Sequence, residues 1–138
     1  MNQSSATIRA ILIARPGILR NSLLAFLRAM PQVQIAALAE HPDPAFAMLR
    51  EHTPDVTIVD VDIAEDRVCA LVRQICAEQR PIKFISLVAS LRQQALMLSV
   101  GANYALLKGF LDDDLRQAIL MRPYPQSSQK NTQNTKEK

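Results

Sequence analysis

Five short runs rich in aliphatic and β-branched residues recur along the chain, and each is followed by a stretch whose apolar residues repeat at helical spacing. No other feature constrains the fold as much. The runs cover residues 8–13, 33–38, 56–59, 83–88 and 104–107. Between them, residues 19–30 carry Leu19, Leu23, Leu24, Phe26, Leu27 and Met30 on one broad helical face, and Pro31 ends the segment. Asp43 and Pro44 read as the cap and first residue of a second helix reaching about Glu51. A third helix is predicted over 67–78, broken by Pro81, and a fourth over 91–100, stopped by Gly101. The last opens at Asp112, Asp113 and Asp114, three acids suited to the positive end of a helix dipole, and runs to about Met121. Regular β–α alternation predicts a parallel sheet with helices on both faces. Strands reading Ile-Leu-Ile and Ile-Val-Asp are nearly continuous in apolar residues, as a sheet covered on both sides requires.

The expected domain spans 7–121. Beyond it, 122–138 holds almost no apolar residue and is expected to be a disordered tail, because it cannot bury enough surface to offset its ordering entropy. No apolar run approaches the roughly 18–20 residues that span a bilayer, and the polar start shows no secretory signal, so the expected compartment is the cytoplasm. Net charge is +3. Residues 1–122 are nearly balanced, with 13 basic against 12 acidic side chains, and the tail adds three lysines against one glutamate. No element gathers a basic cluster, so direct nucleic-acid contact is not expected. Cys69 and Cys76, seven residues apart on a helix, lie about 10 Å apart along its axis, beyond disulfide reach. They read as reduced core thiols. His41 and His52 have no nucleophile at a recognisable spacing and read as surface residues, and no enzyme activity on an external substrate is expected.

In open parallel sheets, functional groups collect at the carboxyl ends of the strands. Here the first strand ends at Ala14 and Arg15, the third at Asp60, the fourth presents Ser86, and the fifth ends at Leu107 and Lys108. The stretch 101–108, GANYALLK, looks like the receiver pattern GADGYLLK. Residues 13–20, IARPGILR, look like the IDDHPMLR of NarL/FixJ-type receivers. With the spacing from Ser86 to Lys108, these motifs make 7–121 resemble a CheY-like receiver domain of the response-regulator family. The resemblance implies a flavodoxin-like (βα)5 fold with strand order 2-1-3-4-5. It also implies that Asp60 is the phosphoacceptor position and that Ser86 and Lys108 hold phosphoryl oxygens. In the family, an acidic pair at the end of the first strand helps to hold the Mg²⁺ that offsets the meeting of two anions.

That pair falls on Ala14 and Arg15. Two carboxylates are lost and a cation is gained, so Mg²⁺ binding is expected to be weak or absent. Asp60 and Asp62 are the only weak metal candidates. Arg15 is expected to reach the vacated position and pair with Asp60 or Asp62, closing the pocket together with Lys108. Leu87 stands where receivers carry a small residue. Ala105 stands at the switch-aromatic position, and Tyr104, one residue off, should face the other way. The loop after Asp60, residues 64–67, lacks the usual proline and glycine.

Three functions follow. The first is an atypical pseudo-receiver in signal transduction or transcription regulation, working as a phosphorylation-independent interaction or dimerisation module. Its partner, or a second copy in a homodimer, would use helix 4, strand 5 and helix 5, or helix 1 with helix 5. On the fourth helix Leu91, Leu96, Met97 and Leu98 exceed one core stripe; either all of them are core, or part of the set is exposed for a partner or a second copy. The second is a working receiver phosphorylated on Asp60 by a sensor histidine kinase. The third is a small-molecule domain with Arg15 and Lys108 facing an anion.

Overall fold

The alternation of apolar runs and amphipathic stretches becomes a covered parallel sheet. The computed structural model describes residues 7–109 and 112–121. Its elements are β1 (Ile8–Ile13), α1 (Ile18–Arg28), β2 (Val33–Ala39), α2 (Pro42–His52), β3 (Val56–Asp60), a 3-10 turn (Val61–Ile63), α3 (Glu65–Ala77), β4 (Lys83–Val88), α4 (Leu91–Val100), β5 (Tyr104–Leu107) and α5 (Asp112–Leu120). The sheet order is β2-β1-β3-β4-β5, parallel throughout, which is the flavodoxin-like arrangement expected from the sequence. The tail 122–138 lies outside the described residues.

Side chains of a strand alternate between faces, and that alternation divides the core in two. Ile11, Ile13, Val59, Phe84, Val88 and Ala105 pack with Leu49, Leu71, Val72, Ile75 and Met97 of α2, α3 and α4. Leu12, Val56, Ile58, Ile85 and Leu87 pack with Leu23, Leu24 and Leu27 of α1 and with Leu115 and Ile119 of α5. No helix among the described residues is long and apolar enough to cross a membrane.

Three local expectations change. Helix α2 starts at Pro42 with His41 as its cap residue, and Asp43 sits inside the first turn, ion-paired with Arg67. A proline at the first helical position needs no backbone donor there, and of the two available prolines the earlier one takes that place. Helix α3 begins at Glu65 rather than 67, which puts two acids in its first turn. Cys69 is buried against Met97, with its sulfur 3.8 Å from the thioether, but Cys76 is exposed rather than in the core. It lies on the last turn of α3 beside Gly101, the residue that ends α4. His41 is exposed and His52 half-buried.

Two local features fix the ends of α4 and α5. Gly101 has φ +119°, a conformation that strains any residue with a Cβ. Lys83, buried at the start of β4, donates to the carbonyls of Ala118 (2.5 Å), Ile119 (2.9 Å) and Met121. It thus satisfies the open carbonyls at the end of α5.

Candidate functional site

The carboxyl ends of β1, β3, β4 and β5 converge on one small polar cluster. Asp60 closes β3, and its Oδ1 accepts from the backbone N–H of Asp62 at 3.1 Å, which starts the 3-10 turn. Lys108, just past β5, puts Nζ 2.7 Å from Asp60 Oδ1 and 2.8 Å from Asp62 Oδ2. One ammonium therefore serves two carboxylates. The side chains of Asp60 and Lys108 are only 14% and 25% exposed, whereas that of Asp62 is 45% exposed. Burial disfavours the ammonium, yet its hydrogen bonds to Asp60 and Asp62 outweigh that cost and hold the Lys108 pKa above the usual lysine value. Hydrogen bonds from Lys108 and then Gln93 hold the Asp62 carboxyl below the ordinary aspartate range.

Arg15 does not make the pairing expected of it. Its guanidinium is directed to the backbone carbonyl of Ile63, donating at 2.9 Å, and the residue stays exposed. The reason is local: Lys108 already satisfies the facing oxygens of Asp60 and Asp62, whereas the Ile63 carbonyl ends a 3-10 turn and lacks a helical donor. The other expected positions fall where strand alternation puts them. Ala14 is buried on the α1/α5 side. Ser86 is fully buried on the opposite side, directly across from Ala105 on β5. Tyr104 does face away from Ala105, into the α1/α5 layer. Leu87 pairs with Asp60 and is also buried in that layer.

A divalent ion at this edge would draw its ligands from the same strand ends. Such a metal takes about six oxygens, but the end of β1 offers a methyl and a guanidinium, and the two nearby carboxylates already share an ammonium. Among the described residues no three His, Cys, Asp or Glu side chains gather around one point.

Sequence reasoning missed the outer part of the cluster. Gln93, buried in the first turn of α4, donates from Nε2 to Asp62 Oδ1 (2.9 Å) and Glu65 Oε1 (3.1 Å), while its Oε1 accepts from the Ala89 N–H (2.8 Å). Arg92 forks onto Glu65 at 2.7 and 3.2 Å. That fork and then Gln93 hold the Glu65 carboxyl below its ordinary range. Ser90 followed three residues later by Gln93 is a capping-box spacing, and it was the available signal.

Two large apolar side chains stand out from the same edge. Ile18, the first residue of α1, is 87% exposed, and Leu91, the first of α4, is 70% exposed. On α4, Met97 is core while Leu96 and Leu98 are partly buried against it, so Leu91 alone of that set is fully at the surface. A shallow groove beside Ile18 is lined by Leu19, Ser22, Lys108, Gly109 and the acids opening α5.

A five-stranded parallel sheet with an aspartate ending its central strand and a lysine ending the next strand but one defines a signal-receiver architecture. Residues 16–120 match the response regulator receiver domain, and the chain belongs to that family. It is similar in structure to the signal receiver domain of the putative response regulator NarL from Mycobacterium tuberculosis, at 18% identity and a TM-score of 0.76, covering 84% of this chain and 95% of that one. A LuxR-family two-component response regulator from Aurantimonas sp. SI85-9A1 matches at 19% identity and a TM-score of 0.75, covering 95% and 99%. The receiver domain of the Saccharomyces cerevisiae response regulator Ssk1, crystallised with the histidine phosphotransfer protein Ypd1, matches at 19% identity and 0.70, covering 85% and 89%. No curated protein matches the chain in sequence.

Proposed function

We propose that this receiver domain acts as a protein-interaction module that works without phosphorylation and without Mg²⁺. One observation carries the reading: among the described residues Lys108 alone is ion-paired with Asp60 and Asp62, while the end of β1 supplies a methyl and a guanidinium in place of metal-binding oxygens. A phosphoryl group arriving at Asp60 would add negative charge to a site that already holds two carboxylates, with no dication to offset it. The exposed Ile18 and Leu91 supply apolar contact area at the rim of the same edge. They suit a protein partner or a second copy of the chain.

The second reading, phosphorylation of Asp60 by a histidine kinase or phosphotransfer protein, draws on the aspartate and lysine retained at the family positions. The Ssk1 receiver's complex with a histidine phosphotransfer protein is the corresponding precedent. Acetyl phosphate and beryllofluoride, each with and without Mg²⁺, separate the two when amide shifts around Asp60 are followed by NMR. The interaction reading expects no shift under any of these conditions. A Mg²⁺-dependent shift that saturates at Asp60 would overturn it in favour of the second.

A further inference from the structure

The side chain of Gln93 is used at both ends. Its carbonyl oxygen takes the Ala89 N–H of the β4–α4 loop, and its amide nitrogen reaches Asp62 in the 3-10 turn after β3 and Glu65 at the start of α3. Because only one end of the amide donates, these partners fix its orientation. Asp62 passes the connection to Lys108 after β5 through its other oxygen. At the root of α4, Ser90 Oγ accepts from the Gln93 N–H at 3.1 Å and the Ser90 carbonyl accepts from the Gln94 N–H. The segments leaving β3, β4 and β5 are thus joined through one carboxylate that belongs to the chain itself.

We propose that Asp62 is a resident anion that fastens the β4–α4 loop through Gln93, so that the first turn of α4, and Leu91 with it, is held in one position with no ligand bound. A carboxylate between an ammonium and an amide N–H offers each a charge-assisted acceptor, and such bonds exceed neutral ones in strength. Asp62 and Gln93 are 31 residues apart in sequence, so the strap joins separate units of the fold rather than one local turn. The inference concerns what holds the loop, and it stands whether or not Asp60 accepts a phosphoryl group.

Native-state hydrogen exchange on the full chain tests it. The readout is protection of the Ala89 amide relative to a core strand amide such as Ile58, a ratio that a general loss of stability does not lower, because core amides exchange by global and loop amides by local opening. Ala89 bonds to Gln93 and not to Asp62, so Asp62→Ala reports transmission through the strap. Asp62→Ala is expected to lower the Ala89-to-Ile58 ratio at least tenfold. Gln93→Glu is expected to do the same, since it keeps an acceptor for Ala89 but sets a third carboxylate against Asp62 and Glu65. If the ratio in Asp62→Ala stays within twofold of the parent, Gln93 is only a local cap of α4 and the proposal fails. The same holds if Gln93→Glu leaves it unchanged.

Discussion

Replacing Lys108 by methionine keeps most of the apolar stem of the side chain and removes the ammonium, with its charge and its donors to Asp60 and Asp62. Two effects add. The Asp60–Lys108 pair, at 2.7 Å with side chains 14% and 25% exposed, lies between the ~0.2–1 kcal/mol of exposed pairs and the ~3–5 kcal/mol seen on breaking buried ones, so its loss costs about 2 kcal/mol. The remaining carboxylates then face each other. Both oxygens lie within hydrogen-bond distance of one nitrogen, so they are no more than about 5.5 Å apart. At that separation repulsion is about 3 kcal/mol at an effective dielectric of 20 and under about 1 in water. The exposure of Asp62 places the value near the lower end. Lys108→Met should therefore lose about 2–3 kcal/mol at pH 7, measured by urea unfolding, and adding Asp62→Asn should recover about 1 of it. The pH dependence has a defined sign. In the parent, Asp62 has a lowered folded pKa, so its contribution is full above the unfolded value near 3.8 and is lost as pH falls through the folded one. In the variant Asp62 has lost the ammonium that lowered its pKa and protonates more readily, so the gap between parent and variant should narrow as pH drops from 7 toward 4. A loss below about 0.5 kcal/mol, or a gap that does not change with pH, would refute this account of the cluster.

Other substitutions probe the frame around the site. Lys83→Met removes a buried donor shared by the last carbonyls of α5 and should cost about 2–4 kcal/mol, offset in part by the relief of burying a charge; chemical unfolding reads it. Gly101→Ala forces a Cβ into φ +119° and to 2.7 Å from the Cys76 sulfur, so a loss of about 2 kcal/mol or more is expected. Adding Cys76→Ala should recover only the steric part, leaving the thermal midpoint below the parent. Glu78 accepts from Arg50, Gln74 and Arg80, and its pKa falls from 4.5 to about 2. Its contribution is therefore present above about pH 4.5 and fades toward 2, and Glu78→Gln should flatten the acid side of the stability curve in that window. Arg15→Ala loses a single part-buried bond from an otherwise exposed residue to the Ile63 carbonyl and should change stability by about 1 kcal/mol or less.

Much of this architecture can be read directly from the chain. The bounds of β4, α4 and β5 were legible because Pro81, Gly101 and the shift from period 2 to period 3.6 mark them. The start of α2 was not, since two prolines and an aspartate within three residues each suit an N-terminus and only packing chooses among them. Asp60 and Lys108 could be placed together because strand ends in a parallel sheet come to one edge whatever the loops do. The partner of Arg15 could not: a long flexible side chain takes the best free acceptor in reach, and the Ile63 carbonyl is 48 residues away in sequence. The capping half of Gln93 was present as a spacing, but its bond to Asp62 depends on how α4 docks beside the 3-10 turn.

Ser86 and Ala105 meet across adjacent strands as two small, buried side chains. No ring stands there to swing, so this pair of strands holds no side-chain rotor that could relay a change at the aspartate to the far surface of β5. On the reading proposed above, that surface has the same shape at every moment of the signalling cycle. Control over such a component then falls to how much of it is made and to which partners are present to meet it.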